Sequence, residues 1–297
     1  MTSPKIFFAG ATGALGSRLV PLLVERGYDV VAMTRSPAKQ DALRAAGAEP
    51  VVADGLDRDA VLAAVKRAAP DVVLHQMTGL ADVTSFKDFD EVLAATNRLR
   101  VEGTDILLEA ARAAGARVIA QSYGQWRYDG PGPLHSEDEP LEPDPPASMA
   151  STAVAVRHVE SAVSAAAGTA LRYGLFYGPG TGFEYLLGMP LIGDGSGVWS
   201  FIHTDDAAAA TLAAIERGQP GVYNVVDDTP VAIREWLPTL AAEPPARLSA
   251  ADALPVAGEA MVHLHTRIRG LSNAKARREL EWAPAHASVY DGFLATH

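Results

Sequence analysis

Gly10, Gly13 and Gly16 recur every third residue between a short apolar run, Ile6-Phe7-Phe8-Ala9, and a stretch where Leu15, Leu19, Val20, Leu22 and Leu23 recur at helical spacing. Glycine lets a chain turn tightly and lets backbone N–H groups approach a bulky anion, whose charge the helix N-terminus then meets. In a strand–turn–helix setting this pattern is a dinucleotide-binding loop, with Gly10, Thr12, Gly13, Ala14, Leu15 and Gly16 around the pyrophosphate. The end of the second strand selects the cofactor: an acid there suits the ribose hydroxyls of NAD, a basic residue the 2′-phosphate of NADP. The chain has Met33-Thr34-Arg35-Ser36, with Lys39 one turn later. Arginine clamps a phosphate in a bidentate way, so NADP is the expected cofactor and NAD the alternative.

These residues need a frame to hold them. Ile6–Ala9, Val30–Met33, Pro50–Ala53, Val72–Leu74, Arg117–Ala120 and Ala170–Tyr173 are apolar runs of strand length, and helical patterns separate them. Such alternation predicts an α/β fold with a Rossmann-type doubly wound parallel sheet. A long helix is expected from Phe89 to Ala114, another from Ser148 to Ala167, a further one from Thr204, and a strand at Val222–Val226. The Rossmann domain should span residues 1–172, with 202–226 returning to it and 173–297 forming a small C-terminal substrate lobe. Between Tyr123 and Ala147 lies a loop rich in proline and acid, including Asp129, Pro131 and the run Glu137-Asp138-Glu139, whose carboxylates are expected to face solvent.

Composition narrows the function. Among 297 residues, 48% are hydrophobic and 21% charged, as in ordinary globular proteins, and the formal net charge of −11 disfavours a nucleic-acid surface. There is no cysteine, which excludes disulfides, thiolate metal sites and a thiol nucleophile. No apolar run is long enough to span a bilayer, and Met1-Thr-Ser-Pro-Lys5 is not a leader, so a cytoplasmic location is expected. His263 and His265, on one face of a presumed strand, lack supporting carboxylates, and no metal is expected.

Further segments give the chain a family likeness. It resembles the extended short-chain dehydrogenase/reductases, the NAD(P)-dependent epimerase/dehydratase family, along nearly its whole length. The resemblance places Asp54-Gly55 at the adenine and His75-Gln76-Met77 beside the nicotinamide half. It makes Asn97, ahead of Gly103-Thr104, an active-site helix residue, and Gln121-Ser122-Tyr123 the strand end that carries a catalytic hydroxyl. Arg172–Gly180, Phe201–Asp206 and Ser272–Pro284 resemble the family's later signatures. By analogy, Phe89–Ala114 would supply a homodimer contact.

One departure stands out. The family's catalysis implies a Tyr and, four residues on, a Lys on the helix after the long loop. Registered on Glu160, those positions hold Thr152 and Val156. A threonine hydroxyl titrates far too high to act as an activated phenol, and valine does not titrate. The first reading keeps an oxidoreductase, epimerase or dehydratase acting on a small polyhydroxylated or carbonyl metabolite. Ser122 and Asn97 would polarise a carbonyl, and the proton donor moves to Tyr123, Tyr173 or Tyr177, with His158 and His203 as candidate bases. The second is a cyclase, isomerase or lyase that retains its cofactor without net redox chemistry. The third is a non-enzymatic NADP sensor. The Gly174–Gly197 segment, with Tyr177, Phe183, Tyr185 and Trp199 nearby, is expected to shape a substrate pocket, which favours an enzyme.

Overall fold

The computed structural model describes residues 4–80, 83, 85–126 and 132–294; Asp129 and Pro131 of the long loop fall outside these. The apolar runs form strands β1 (Lys5–Ala9), β2 (Asp29–Thr34), β3 (Glu49–Val52), β4 (Val72–His75), β5 (Arg117–Tyr123), β6 (Thr169–Tyr173) and β7 (Gly221–Val225). They pair in one parallel sheet of order β7-β6-β5-β4-β1-β2-β3. The order reverses between β1 and β4, the place where a doubly wound sheet opens a crevice for ligand.

Both faces of the sheet are covered. Along β1, Ile6 and Phe8 point into one apolar layer and Phe7 and Ala9 into the other, the period-two alternation of a strand. Helices α1 (Ala14–Glu25) and α8 (Thr204–Arg217) pack together on the first face, where the short α2 (Gln40–Ala45) adds Leu43. On the second lie α3 (Arg58–Ala68), α6 (Thr104–Ala114) and α7 (Ala150–Ala165). A third apolar cluster fills the lobe beyond the carboxyl ends of the strands, built on Trp126, Tyr177, Phe183, Phe201 and Trp236. Residues of 202–226 supply α8 and β7 to the sheet, and Ala276, Leu280 and Trp282 near the C-terminus join its first face. No helix among the described residues is long and apolar enough to cross a membrane.

Four expectations change here. The long helix is broken into α4 (Phe89–Val92), α5 (Ala94–Arg98), a widened π turn at Leu99–Gly103, and α6. The Leu99 carbonyl is drawn to His75 Nε2, 3.2 Å away, a tertiary bond that competes with the regular helical ladder. His263 and His265 lie on a helix, Ala250–Thr266, where two residues span about 200° of rotation and so point apart. His263 Nε2 meets Glu142 at 2.9 Å, while His265 is fully buried and its Nδ1 accepts from the Ile192 N–H. In the acidic run only Asp138 faces solvent: Glu137 accepts the Asn224 N–H at 2.8 Å and Glu139 meets His135 at 2.6 Å. Of the four aromatic residues, Tyr177, Phe183 and Trp199 interlock as core rings, while the exposed Tyr185, with Gly188, Met189, Pro190 and Ile192 of the Gly174–Gly197 segment, does line a cavity.

Asp227 follows β7 and is 2% exposed, with no cation paired to its carboxylate among the described residues. Burial pushes its pKa up to about 8; the nearby Tyr177 hydroxyl and His203 backbone offset this only in part, and the charge of Asp206 adds to it. The folded state therefore holds this proton between about pH 4 and pH 8 while the unfolded chain has released it, so this residue costs stability as pH rises through that window. The Asp227→Asn variant should gain melting temperature over the parent between pH 5 and pH 8, with a constant difference above about pH 9. A difference that does not grow with pH in that interval contradicts the assignment.

Candidate active site

The glycine loop leaves β1 beside β4 in the crevice between them. Gly10 has φ +96°, and a Cβ there would lie 2.5 Å from the Gln76 carbonyl carbon, so two backbones meet where no side chain fits. Gly16 is equally closed, against the Ala11 backbone, and lets α1 pack on the loop. Helix α1 starts at Ala14 behind Gly13, with no side-chain cap and no acid in its first turn. Its N–H groups and the positive end of its dipole therefore face the crevice unused, which fits the residues present to a dinucleotide pyrophosphate. Thr12 Oγ1 lies 3.4 Å from Thr34 Oγ1. Arg35, directly after β2, is exposed and makes no ion pair among the described residues. Asp54 Oδ1 accepts the Leu56 N–H and shapes the turn after β3, and Gly55 lies under the Met77 side chain.

His75 takes a different place from the one the resemblance implied. It is fully buried; its Nε2–H donates to the Leu99 carbonyl and its Nδ1 accepts the Met77 N–H. With both nitrogens engaged and burial lowering its pKa to about 4, it is a neutral strut beneath the crevice rather than a cofactor contact. Gln76 Nε2 donates to the Tyr173 hydroxyl and Gln121 Nε2 to the Met77 carbonyl, which fixes the loop leaving β4.

At the end of β5 the expected catalytic groups separate. Ser122 Oγ donates to Glu160 Oε1 at 2.7 Å, and Glu160 also holds Arg172 through contacts of 2.8 and 2.6 Å. The serine proton is thereby committed, so Ser122 ties β5 to α7 instead of polarising a carbonyl. Tyr123 is half-buried; burial raises its pKa and the Arg100 guanidinium only partly offsets this. Its phenol stays protonated and is a poor acid. Tyr177 is fully buried, donates to the Ser288 carbonyl and is turned away toward the C-terminal segment. Tyr173 is bonded to Thr211 at 2.7 Å, His158 pairs with Asp105 on the outer face, and His203 Nδ1 accepts the Asp205 N–H. No side-chain bond joins any of these three to the Tyr123 hydroxyl among the described residues, although Tyr173 is the register partner of Tyr123 across β5 and β6.

Helix α7 engages both residues that the sequence singled out on it. Thr152 is fully buried, and its hydroxyl donates to Asp90 at 2.6 Å while accepting from Asn97 Nδ2 at 2.8 Å. Asp90 also accepts the Ser151 and Thr152 N–H groups, capping the start of α7. Val156 is 2% exposed and packs in the lobe's apolar cluster. Sequence reasoning missed Asp90 and Arg100. Arg100 sits in the π turn, 4% exposed, with its guanidinium carbon 5.7 Å from the centre of the Tyr123 ring. Its only signal was a basic residue three positions after Asn97.

Elsewhere in the lobe a cavity of about 460 Å³ is lined by Phe86, Lys87, Tyr185, Met189, Met261 and His265. His203, Asp206 and His286 also converge, but Asp206 already accepts from His286 Nδ1 and from the N–H groups of Ala285 and His286. That cluster ties down the C-terminal segment.

The loop geometry sets a test. Gly10→Ala would impose roughly 1–3 kcal/mol of backbone strain and should weaken dinucleotide binding about tenfold or more. Calorimetric titration would measure this beside a retained far-UV spectrum; unchanged affinity would remove the loop from the cofactor site.

Comparison with known proteins places this geometry. Residues 6–225 match the model of the NAD dependent epimerase/dehydratase family. The 3-diazoavenalumate denitrifying reductase of a Streptomyces species is 45% identical over 97% of this chain and 98% of its own length. The 2-alkyl-3-oxoalkanoate reductase of Stenotrophomonas maltophilia is 31% identical over 80% of this chain and 75% of its own. Among solved structures, UDP-glucose 4-epimerase from Thermotoga maritima superposes with a TM-score of 0.75 at 20% identity, covering 97% of this chain and 96% of that one. An NAD complex of dTDP-glucose 4,6-dehydratase from Bacillus anthracis gives 0.72 at 20% identity, covering 99% and 95%. With its sheet order, its glycine loop and these matches, the chain belongs to the NAD dependent epimerase/dehydratase family, as an enzyme of the extended short-chain dehydrogenase/reductase type.

Proposed function

We propose that this chain is an NADPH-dependent reductase that removes the diazo group of a carboxylate substrate and releases dinitrogen. The observation that carries the reading is the helix α7 site, where Thr152 is bound to Asp90 and Asn97 and Val156 is buried. Reduction of a ketone creates an alkoxide and needs a proton donor, commonly worth 10²–10⁴-fold in rate. A diazo group in its cationic, arenediazonium form makes no such demand at its carbon. That carbon takes up hydride as its bond to nitrogen breaks, R–N₂⁺ + H⁻ → R–H + N₂, and no oxyanion forms. A site without an activated Tyr–Lys pair is therefore chemically sufficient for this reaction and poor for carbonyl reduction. The name of the relative at 45% identity carries the same elements: a diazo substrate, a carboxylate and reductive loss of nitrogen.

A reduced dinucleotide held at the glycine loop supplies the hydride. The residues that would hold it are Gly10 to Gly16 at the pyrophosphate and Asp54 near the adenine. Arg35 supports NADPH over NADH, being exposed at the end of β2 with no carboxylate partner among the described residues. At the other end, Gln121 and Gln76 fix the loop from β4, and the rings of Tyr123 and Trp126 meet edge to face at 5.8 Å and form an apolar wall. Such a wall excludes water, which would otherwise compete for a reactive diazo carbon.

Two measurements follow. With 4-carboxybenzenediazonium and NADPH deuterated at the transferring position, the enzyme should release N₂ and place deuterium on the carbon that carried nitrogen, above an enzyme-free control. Tyr123→Phe should keep this turnover within a few-fold. NADPH oxidation with 3-oxo esters alone, abolished by Tyr123→Phe, would instead establish a ketone reductase with a relocated proton donor. Separately, Arg35→Ala should weaken NADPH about tenfold or more, as expected for loss of a charge-assisted contact, and leave NADH nearly unchanged. Equal losses would sink the 2′-phosphate assignment.

A further inference from the structure

Buried cations in folded proteins are almost always paired, because leaving an ion without a partner away from water is costly. The two buried arginines among the described residues differ sharply in this respect. Arg172 is held by both oxygens of Glu160. Arg100, 4% exposed, has no carboxylate partner among the described residues. Its Nε has no acceptor, and Nη1 has only a long 3.5 Å contact with Asn97 Oδ1. The face of the Tyr123 ring offers it partial compensation at 5.7 Å.

Nearby acids are already spent. Glu160 is shared between Arg172 and Ser122, and Asp90 is saturated by Ser151 and Thr152. The position of Arg100 is also held firmly, since the π turn that carries it is fixed through the Leu99 carbonyl to His75. A guanidinium is therefore held against the ring of Tyr123, the last residue of β5, with an Nε that no group among the described residues accepts. Burial lowers its pKa only to about 10, so it remains charged at neutral pH.

We propose that Arg100 anchors an anionic oxygen group of the substrate, a carboxylate or phenolate, and so orients the reacting carbon beside Tyr123. This deepens the diazo-carboxylate reading and rests on it for the identity of the substrate. The anchor explains why an uncompensated cation is kept in the protein: the charge is completed on binding. A planar fork of donors suits two oxygens of one carboxylate, and the anion gains more from this partner than from a solvated lysine because both are shielded from water.

The test uses anions that carry no diazo group, so it stands apart from whether diazo turnover occurs. Binding of cinnamate, 4-nitrophenolate and neutral methyl cinnamate to the NADP⁺ complex would be measured at pH 8 by tryptophan fluorescence. Cinnamate or the phenolate should bind at least about tenfold more weakly to Arg100→Met, with Arg100→Lys recovering part of the loss and methyl cinnamate unaffected. Whichever of the two anions responds identifies the source of the oxygen group. Arg100→Met should also melt no lower than the parent, because it removes a buried charge that lacks a partner. Unchanged anion binding in Arg100→Met would overturn the proposal. So would a loss of NADP⁺ affinity with anion binding intact, or a melting point several degrees lower, which would make Arg100 a cofactor contact or a packing residue. Cinnamate binding that depends on Arg100 in an enzyme inert toward diazo compounds would keep the anchor and discard the reaction.

Discussion

The hydrogen bond from His75 Nε2 to the Leu99 carbonyl is made with no competing water, at the junction of the central strand β4 and the helix that crosses beneath the site. It sets where a regular helix must give way, and the π turn that results carries Arg100 to the Tyr123 ring. It also sets the tautomer of His75: with Nε2–H donating, Nδ1 is left to accept the Met77 N–H and hold the first residues of the loop beyond β4. The same strand end meets Gly10 through Gln76. Cofactor loop, loop after β4 and π turn are thus three neighbours of one buried residue, and displacing any of them disturbs the other two.

Charge is distributed around this point with little left over. Glu160 receives both Ser122 and Arg172 and binds β5, β6 and α7 together, while Asp90 spends both oxygens on the start of α7. Removing one member of such a buried network leaves another uncompensated, which commonly costs 3–5 kcal/mol. Networks of this kind explain why side chains that look like acid–base groups in the sequence serve as ties. Their protons already have destinations inside the protein.

The alternation of apolar runs and helices made the parallel sheet legible, because buried strands need continuous hydrophobicity and glycine loops need room. The helix that carries Thr152 and Val156 was likewise legible, since helical spacing is rigid. What escaped was everything decided by contacts across the fold. Arg98 and Arg100 are two basic residues on one helical stretch, alike by type. Yet Arg98 pairs with Glu102 at 2.8 Å on the surface while Arg100 is buried. Nothing local separates them, because the π turn arises from a strand 24 residues earlier. For the same reason the breadth of the Phe89–Ala114 pattern concealed its break, and a pair of histidines two apart gave no hint whether strand or helix would carry it. Aromatic residues near glycines suggested a pocket, but ring-on-ring packing in the lobe claimed Tyr177, Phe183 and Trp199 first.

Val156 carries a consequence for how this enzyme has been free to change. A lysine buried at that place would have to be kept dry, charged and correctly aimed, an arrangement that ordinarily lowers the stability of the fold for the sake of turnover. With valine there, the middle of α7 is an ordinary packing helix, and its sequence answers to volume and shape alone. Under the proposed reduction, which requires no proton at the reacting carbon, that restraint is lifted: α7 can accept the substitutions of any well-filled core, and selection for activity moves to the π turn and the strand end opposite.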